Sequence, residues 1–306
     1  MTDPIIHSVP FVKAQNPSFR DYIAANEVRR MGNIMKRALV TTLKVLKDTG
    51  IEHPDAIISG TSIGSLDYTE RFLDALSENG EEALSPTYFM QSTHNTVSSA
   101  LAIYTKTHSY NTTYSHGAIS FDLAVLDAWM QMQLGDISTA LVGGYDEMVE
   151  SYFELLRKTG YVGIPGMVPC GEVSMSMVLN TETSPADLCE LAGIVICHKP
   201  SGKVFGRKLC SMLDAANLAI QDISAVMTGI NGNPLNDAPY QRTLANYFPH
   251  QARLQYKHIF GENYTALALG VYAAAHLLHS SDDMENLLVL NQTADGDVSL
   301  ILLKHR

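Results

Sequence analysis

Two segments of the chain are apolar on almost every side of a helix rather than along one stripe. The first, 118–134, reads A-I-S-F-D-L-A-V-L-D-A-W-M-Q-M-Q-L and stops at Gly135; the second, 262–279, contains A-L-A-L-G-V-Y-A-A-A-H-L-L. A surface helix needs one apolar stripe, so helices this apolar are expected inside a core. Elsewhere the periods are the ordinary ones. Segment 27–49 carries Met31, Ile34, Met35, Ala38, Leu39, Leu43, Val45 and Leu46 at helical spacing before Gly50, and predicts an amphipathic helix. Further helices are expected at 66–76, 95–104, 147–158, 208–221 and 238–247. Short apolar or alternating runs predict strands at 56–59, 137–142, 173–179, 191–197, 225–229, 286–291 and 298–303. Residues 1–16 mix Ile, Val and Phe with proline and turn residues, which predicts an edge strand plus loop. Residues 111–118 read as a tight polar turn, and the Gly- and Pro-rich 160–171 as the longest loop.

The pattern nearly repeats. A helix runs into D-A-I-I-S-G-T at 55–61, and another into S-A-V-M-T-G-I at 224–230; later in each half an apolar helix precedes an apolar strand. A duplicated unit of this kind implies an α/β fold in which two sheets sandwich a layer of buried helices. Alternating strands and helices make the sheets mostly parallel, with an antiparallel hairpin ending each half. The halves are placed at 1–183 and 184–306, as one compact unit.

Composition narrows the function. The 306 residues are 46% hydrophobic and 17% charged, which fits a large core and excludes disorder. A formal charge of −11 argues against nucleic acid and anionic membranes as partners. No apolar run reaches membrane-spanning length. The four cysteines (Cys170, Cys189, Cys197, Cys210) have neither metal-ligand nor redox spacing. With an N-terminus that lacks an apolar signal segment, they point to the reducing cytoplasm.

The turn into 118–134 is where chemistry is expected. A buried helix entered through small residues aims free N–H groups at one point, where enzymes place a nucleophile and hold an oxyanion. The residue there is Ala118. Ser115 and Ser120 are expected to bond the local backbone. His116 is titratable, but a base without a nucleophile is idle, so turn or interface packing is expected for it. Asp122 and Asp127, on the apolar helix, should be paired or at a subunit interface. Asp146-Glu147 reads as the cap of the 147–158 helix. The G-T-S-I-G at 60–64 lacks the dinucleotide spacing and the Walker lysine, and reads as a strand-to-helix turn.

Taken together, the motifs resemble the β-ketoacyl synthase branch of the thiolase fold. N-T-T-Y-S-H-G-A-I-S is similar to the family's nucleophile elbow N-x-x-x-S-x-x-C-x-S, with Asn111, Ser115 and Ser120 in register. In order around it, R-R-M at 29–31, G-D-I-S-T-A-L-V-G-G at 135–144, P-C-G-E-V-S-M-S-M-V-L at 169–179, N-P-L-N-D at 233–237 and K-H-I-F-G-E at 257–262 resemble family segments. H-N-T-V-S-S-A-L-A at 94–102 resembles the dimer-interface segment, which makes His94, Asn95, Thr96 and Asn111 interface candidates.

The resemblance implies a condensing site of one Cys and two His, and here it fails residue by residue. The Cys position is Ala118, the first His position Gly229 and the second Glu262; the motif's lysine survives as Lys257. Ala cannot form a thioester, Gly donates no side-chain hydrogen bond, and an ionised Glu repels an enolate. The gating loop N-x-F-G-F-G-G is N-Q-T-A-D-G-D at 291–297. The chain is therefore similar to the inactive chain-length factors that dimerise with a working ketosynthase and bound its tunnel. Its compactness is closest to the reduced synthases of aryl-polyene and flexirubin-type systems. That implies no cofactor or metal, a ketosynthase partner or a homodimer, and acyl carrier protein reached through the partner. Two other readings remain at this point: an acyl-binding homodimeric scaffold, and an acyltransferase or hydrolase using His116 with Ser115 or Ser120.

Overall fold

The computed structural model describes residues 16–29 and 31–306. The edge strand expected at 1–16 falls outside this range apart from Asn16, as does Arg30 of the R-R-M motif.

Nine strands form two sheets among the described residues. β1 (Ala56–Gly60), β2 (Tyr110–Tyr114), β3 (Thr139–Asp146) and β4 (Val173–Asn180) make the first, in the order β2-β1-β3-β4. β5 (Glu190–His198), β6 (Ala225–Thr228), β7 (Ala252–Gln255), β8 (Asn286–Gln292) and β9 (Asp297–Lys304) make the second, in the order β5-β9-β8-β6-β7. The duplication is visible in the register. β1 pairs in parallel with β2 and β3 as β6 does with β7 and β8, and β3–β4 and β8–β9 are antiparallel. The expectation of mostly parallel sheets needs correcting for the second half: β5 adds another antiparallel pairing on β9, so both sheets are mixed.

Alternation along the strands sets the layers. Ile58 and Val142 of the first sheet face Met227, Val289 and Ile301 of the second across the helices Ser120–Leu134 and Leu267–Ser280, in one continuous core. Their neighbours Ile57 and Leu141 point outward under the helices Asn33–Thr49 and Thr96–Thr105. On the other side Val226, Leu288 and Leu302 pack under the helices Gly202–Ala215 and Pro234–Tyr247. Alanines at 124, 128, 268 and 274 let the central helices approach closely. Where a strand meets them glycine is required: a Cβ on Gly60 would lie 2.5 Å from the Phe121 backbone, and one on Gly144 2.7 Å from the Ala268 methyl.

Several expected boundaries move. The polar "turn" at 111–118 is strand β2 as far as Tyr114, and β7 was not expected at all. Helix 27–49 begins at Asn33, because Gly32 is extended and its missing side chain makes room for the Tyr68 ring. The helix expected from Glu147 starts at Glu150; Asp146 ends β3 and caps something else, described below. The second apolar helix begins at Leu267, since 262–266 is a turn held by Asn263. The first is not buried throughout: Met130 and Leu134 in its last turns are 48% and 75% exposed.

Candidate functional site

Asp146, at the C-terminal end of β3, organises the first half's contribution. Its fully buried carboxylate accepts hydrogen bonds from the backbone N–H groups of Ser62, Ile63 and Gly64 and the Thr61 hydroxyl, at 2.7–3.2 Å. The Thr265 hydroxyl donates to it from the second half at 2.8 Å. Burial pushes its pKa up while these donors pull it down. The 60–64 turn is thus a nest of N–H groups filled by the protein's own carboxylate, and the capping role expected for Asp146 at the next helix is not its role.

The next turn, 115–119, leads from β2 into the helix Ser120–Leu134. Ser120 Oγ donates to the Gly117 carbonyl at 2.7 Å and accepts from the His116 N–H at 2.8 Å. Gly117 has φ 53°, in the left-handed region. Ser120 bonds the local backbone, as its residue type suggested. Ser115 and His116 are exposed. Among the described residues no hydrogen bond joins the His116 ring to either serine.

Ala118 faces the second half. Its carbonyl accepts from Asn291 Nδ2 at 3.0 Å, and the same amide reaches Asp122 at 3.3 Å. Asp122 also accepts from the Ser299 hydroxyl. Burial pushes the Asp122 carboxyl up to about 7. Asp127, whose oxygens accept from Tyr110 and Gln131, is satisfied in the same manner. Both aspartates of the apolar helix are therefore paired within the chain.

Gly229 and Glu262 complete the wall. Lys257 Nζ donates to the two Glu262 oxygens at 2.8 and 2.9 Å, and Asn231 Nδ2 also donates to that carboxylate. The ion pair is largely buried. The backbone of Glu262 bonds Pro169 and Gly171, tying the 169–171 strap to the second half. At Gly229 an added Cβ would lie 2.8 Å from the hydroxyls of both Tyr240 and Tyr256 and 3.2 Å from Lys257 Cε. The space in which a side chain at this position would stand is occupied by two phenols and an ammonium stem.

Ala118, Gly229, Lys257 and Glu262 thus line one cavity, with Tyr161, Tyr240, Tyr256 and Asn291. Its volume is about 30 Å³, enough to admit water. The Ala118 position offers no nucleophile, and the amine of Lys257 is held in the ion pair with Glu262. The nearby thiol, Cys170, lines an adjoining cavity, and burial beside the Glu262 carboxylate pushes its pKa up to about 12, which keeps it protonated and inert. Thr293 and Ala294 also line it; they belong to a tight β8–β9 hairpin whose Gly296 N–H bonds the Thr293 carbonyl. Among the described residues no group of three or more His, Cys, Asp or Glu could hold a metal ion.

The remaining candidates lie elsewhere. Asn111 Nδ2 donates to the Ser98 carbonyl at 3.0 Å, and Thr96 Oγ1 to the Met90 carbonyl at 2.6 Å; His94 and Asn95 are exposed. They surround β2, the open edge of the first sheet. Sequence reasoning missed Tyr161, Tyr240, Tyr256 and Asn291 at the cavity, and Asn231 behind the Glu262 carboxylate. The signal for three of them was adjacency to the quoted motifs: Tyr256 precedes Lys257, Asn231 follows Gly229 by two, and Asn291 opens the altered loop.

Residues 8–190 match the family model of the β-ketoacyl synthase N-terminal domain. No curated protein matches the chain. Among solved structures, a type II polyketide synthase complex of acyl-carrier protein with its hexaketide-bound ketosynthase superposes with a TM-score of 0.80. It is 15% identical, over 98% of this chain and 91% of that one. The ishigamide ketosynthase/chain length factor gives 0.78 at 16% identity, over 96% and 86%. A ketosynthase in complex with its chain length factor from Xenorhabdus doucetiae gives 0.72 at 16% identity, over 90% and 79%. These likenesses carry the thiolase-like fold. Since the family model spans more than half of its length, the chain belongs to the β-ketoacyl synthase family.

Proposed function

We propose that the chain is a non-catalytic β-ketoacyl synthase subunit of the chain-length-factor type, which pairs with an active ketosynthase and bounds its acyl tunnel. One observation carries the reading: the three positions assigned to the family's Cys, His and His meet at one cavity. They hold a methyl group, a hydrogen and an ion-paired carboxylate in a space of about 30 Å³. A thioester needs a nucleophile at the Cys position, which here is a methyl group, and the two positions assigned to histidines bring a hydrogen and a carboxylate tied to Lys257.

The pairing face in this reading is the edge of β2. An open strand edge invites another chain's edge. Around it Ile103 is 79% exposed and Leu134 75%, with Tyr110 and Met130 also exposed. Thr113 Oγ1, on this strand, is buried without a hydrogen-bond partner in the single chain. His94, Asn95, Thr96 and Asn111 flank the same face. The chain acts as two halves divided at 183/184, in the cytoplasm, and acyl carrier protein reaches the tunnel through the active partner. The aryl-polyene or flexirubin type of system fits its compact loops best. The hydrolase alternative needs His116 within hydrogen-bond reach of Ser115 or Ser120, and among the described residues no hydrogen bond joins its ring to either serine.

The test is co-expression with a Cys-His-His ketosynthase encoded beside it. A one-to-one complex that elongates carrier-bound acyl groups, with no condensation by this chain alone, is expected. Ala118→Cys in the isolated chain should remain inactive. Condensation by the wild-type chain alone, or a homodimer that ignores the ketosynthase, would overturn the reading.

A further inference from the structure

Between the helix Glu150–Lys158 and β4, residues 159–172 form neither helix nor strand, and their one bridge joins Cys170 to Glu262. The segment crosses the second half as a strap. The Val168 N–H donates to the Asn231 carbonyl at 2.8 Å, and the Glu262 N–H to the Pro169 carbonyl at 2.8 Å. The Gly171 N–H donates to the Glu262 carbonyl, and Asn263 Nδ2 to the Gly171 carbonyl, both at 2.9 Å. Backbone meets backbone at this crossing: a Cβ on Gly171 would lie 2.9 Å from the Phe260 carbonyl oxygen.

The strap's apolar anchors stand apart from the layered core. Val162, Met167 and Cys170 pack with Met148 and Phe153 in a small cluster of their own. The outer bend at Pro165 and Gly166 is exposed. A segment with few apolar anchors and no ladder opens at lower free energy than the strands and helices beside it. Two cavities lie beneath it, of about 30 and 10 Å³, with Tyr161, Glu262, Asn263 and Tyr264 as their common wall. Tyr161 is the strap's part of that wall, its ring stacked on Tyr264 with centroids 6.0 Å apart. The smaller cavity ends against Met148, Leu156, Val162 and Cys170.

We propose that residues 161–171 open as one unit, separately from the two-sheet core, and that their opening joins the two cavities into a single passage from solvent to the Lys257–Glu262 pair. Lifting the strap takes Tyr161 out of the shared wall, while Tyr264, Lys257 and Glu262 stay with the second half. The same movement frees the Glu262 backbone, whose N–H and carbonyl are bonded to Pro169 and Gly171. The strap is thus a gate over the former site: closed, it leaves two small voids, and open, it gives one passage with a polar mouth and an apolar end.

Labelling of the full chain with N-ethylmaleimide, resolved thiol by thiol through peptide mass spectrometry, tests the gate. Cys210 is exposed and reports the free reaction, whereas Cys170 is buried at the end of the smaller cavity and reacts only when the strap lifts. Its rate should lie well below that of Cys210 and stay level as urea is raised below the unfolding transition, because a local opening exposes little surface. Gly171→Ala sets a methyl group against the Phe260 carbonyl and should raise the Cys170 rate about tenfold or more beyond what its loss of global stability accounts for. Cys189 and Cys197, away from the strap, should keep their rates. Asn263→Asp guards against misfolding: it keeps the acceptor for the Thr265 N–H, loses the donor to Gly171, and should give a smaller rise. A Cys170 rate that climbs with urea in step with global unfolding would overturn the proposal. So would a rate that follows global stability alone in both variants.

Discussion

The two halves share one strand order and one helix layer, yet they treat their buried carboxylates in opposite ways. In the first half Asp146 sits among N–H and hydroxyl donors with no cation near it, and its contacts hold the turn after β1. In the second half Glu262 sits against Lys257, at the position that the motif resemblance assigns to the family's second histidine. The first arrangement is architecture: it satisfies backbone donors that any sequence with this turn must satisfy. The second is a pair between side chains, in which Lys257 and Asn231 satisfy the Glu262 carboxylate. The difference teaches where such a chain can change. Exchanging Asp146 leaves backbone donors unsatisfied, whereas Lys257 and Glu262 can be exchanged together.

The largest effect should come from breaking the architectural side. Asp146→Ala strands the N–H groups of Ser62 and Ile63 and the hydroxyls of Thr61 and Thr265, and should cost about 3–5 kcal/mol in urea unfolding of the isolated chain. Asp146→Asn keeps one acceptor and should lose less. On the paired side the expected signature is coupling. Lys257→Met alone leaves a buried carboxylate without its cation and should cost about 3 kcal/mol. Lys257→Met with Glu262→Gln should recover most of that, because a neutral amide keeps its bond from Asn231 without an unpaired charge. If the double variant is as unstable as the single, the pair is architecture too and the contrast fails.

The parts of this molecule legible in the sequence are those that carry an apolar period. β1, β3, β4, β5, β6, β8 and β9 all lie on or beside runs of Val, Ile and Leu, and both central helices announce themselves by composition. The two strands that were missed, β2 and β7, are equivalent members of the repeat, and each lies at a sheet edge. Their sequences, Y-N-T-T-Y and A-R-L-Q, bury no residue and carry no period-2 signal, whereas the other edge strands, β4 and β5, each keep buried apolar positions. The site was legible in motifs but not in its filling. That Tyr240 and Tyr256 converge on Gly229 depends on a helix and a strand end far apart in the chain. Asp146 was misread because Asp-Glu before a helix is the ordinary sequence of a cap, and only the fold brings the 60–64 turn above it.

A smaller effect tests that filling. Gly229→Ala puts a methyl group 2.8 Å from two tyrosine hydroxyls whose rings are fully buried. The rings cannot swing away, so the variant should lose about 1–3 kcal/mol. Adding Tyr256→Phe, which removes one of the two oxygens, should return part of the loss. No recovery would mean that the strand rather than the phenols sets the space.

The smallest effect concerns Asp122, which joins the halves through Asn291 and Ser299. Its carboxyl is pushed up to about 7 in the folded chain, against an ordinary value of 3.8. Between those values the folded protein keeps a proton that the unfolded chain has released. Stability from this group is therefore full below about pH 4, falls as the pH rises through 7, and is level above. Asp122→Asn removes the titration while keeping a side chain that can bond Ser299. The unfolding midpoint of the wild-type chain should drop further from pH 5 to pH 8 than that of the variant. Asp146 and Glu147, whose pKa values burial also raises, are present in both proteins and cancel in the difference. Parallel pH profiles would mean that Asp122 stays ionised in the core. The link between the halves would then be a charged acceptor of the Asp146 kind, and the contrast drawn above would narrow to the single pair Lys257–Glu262.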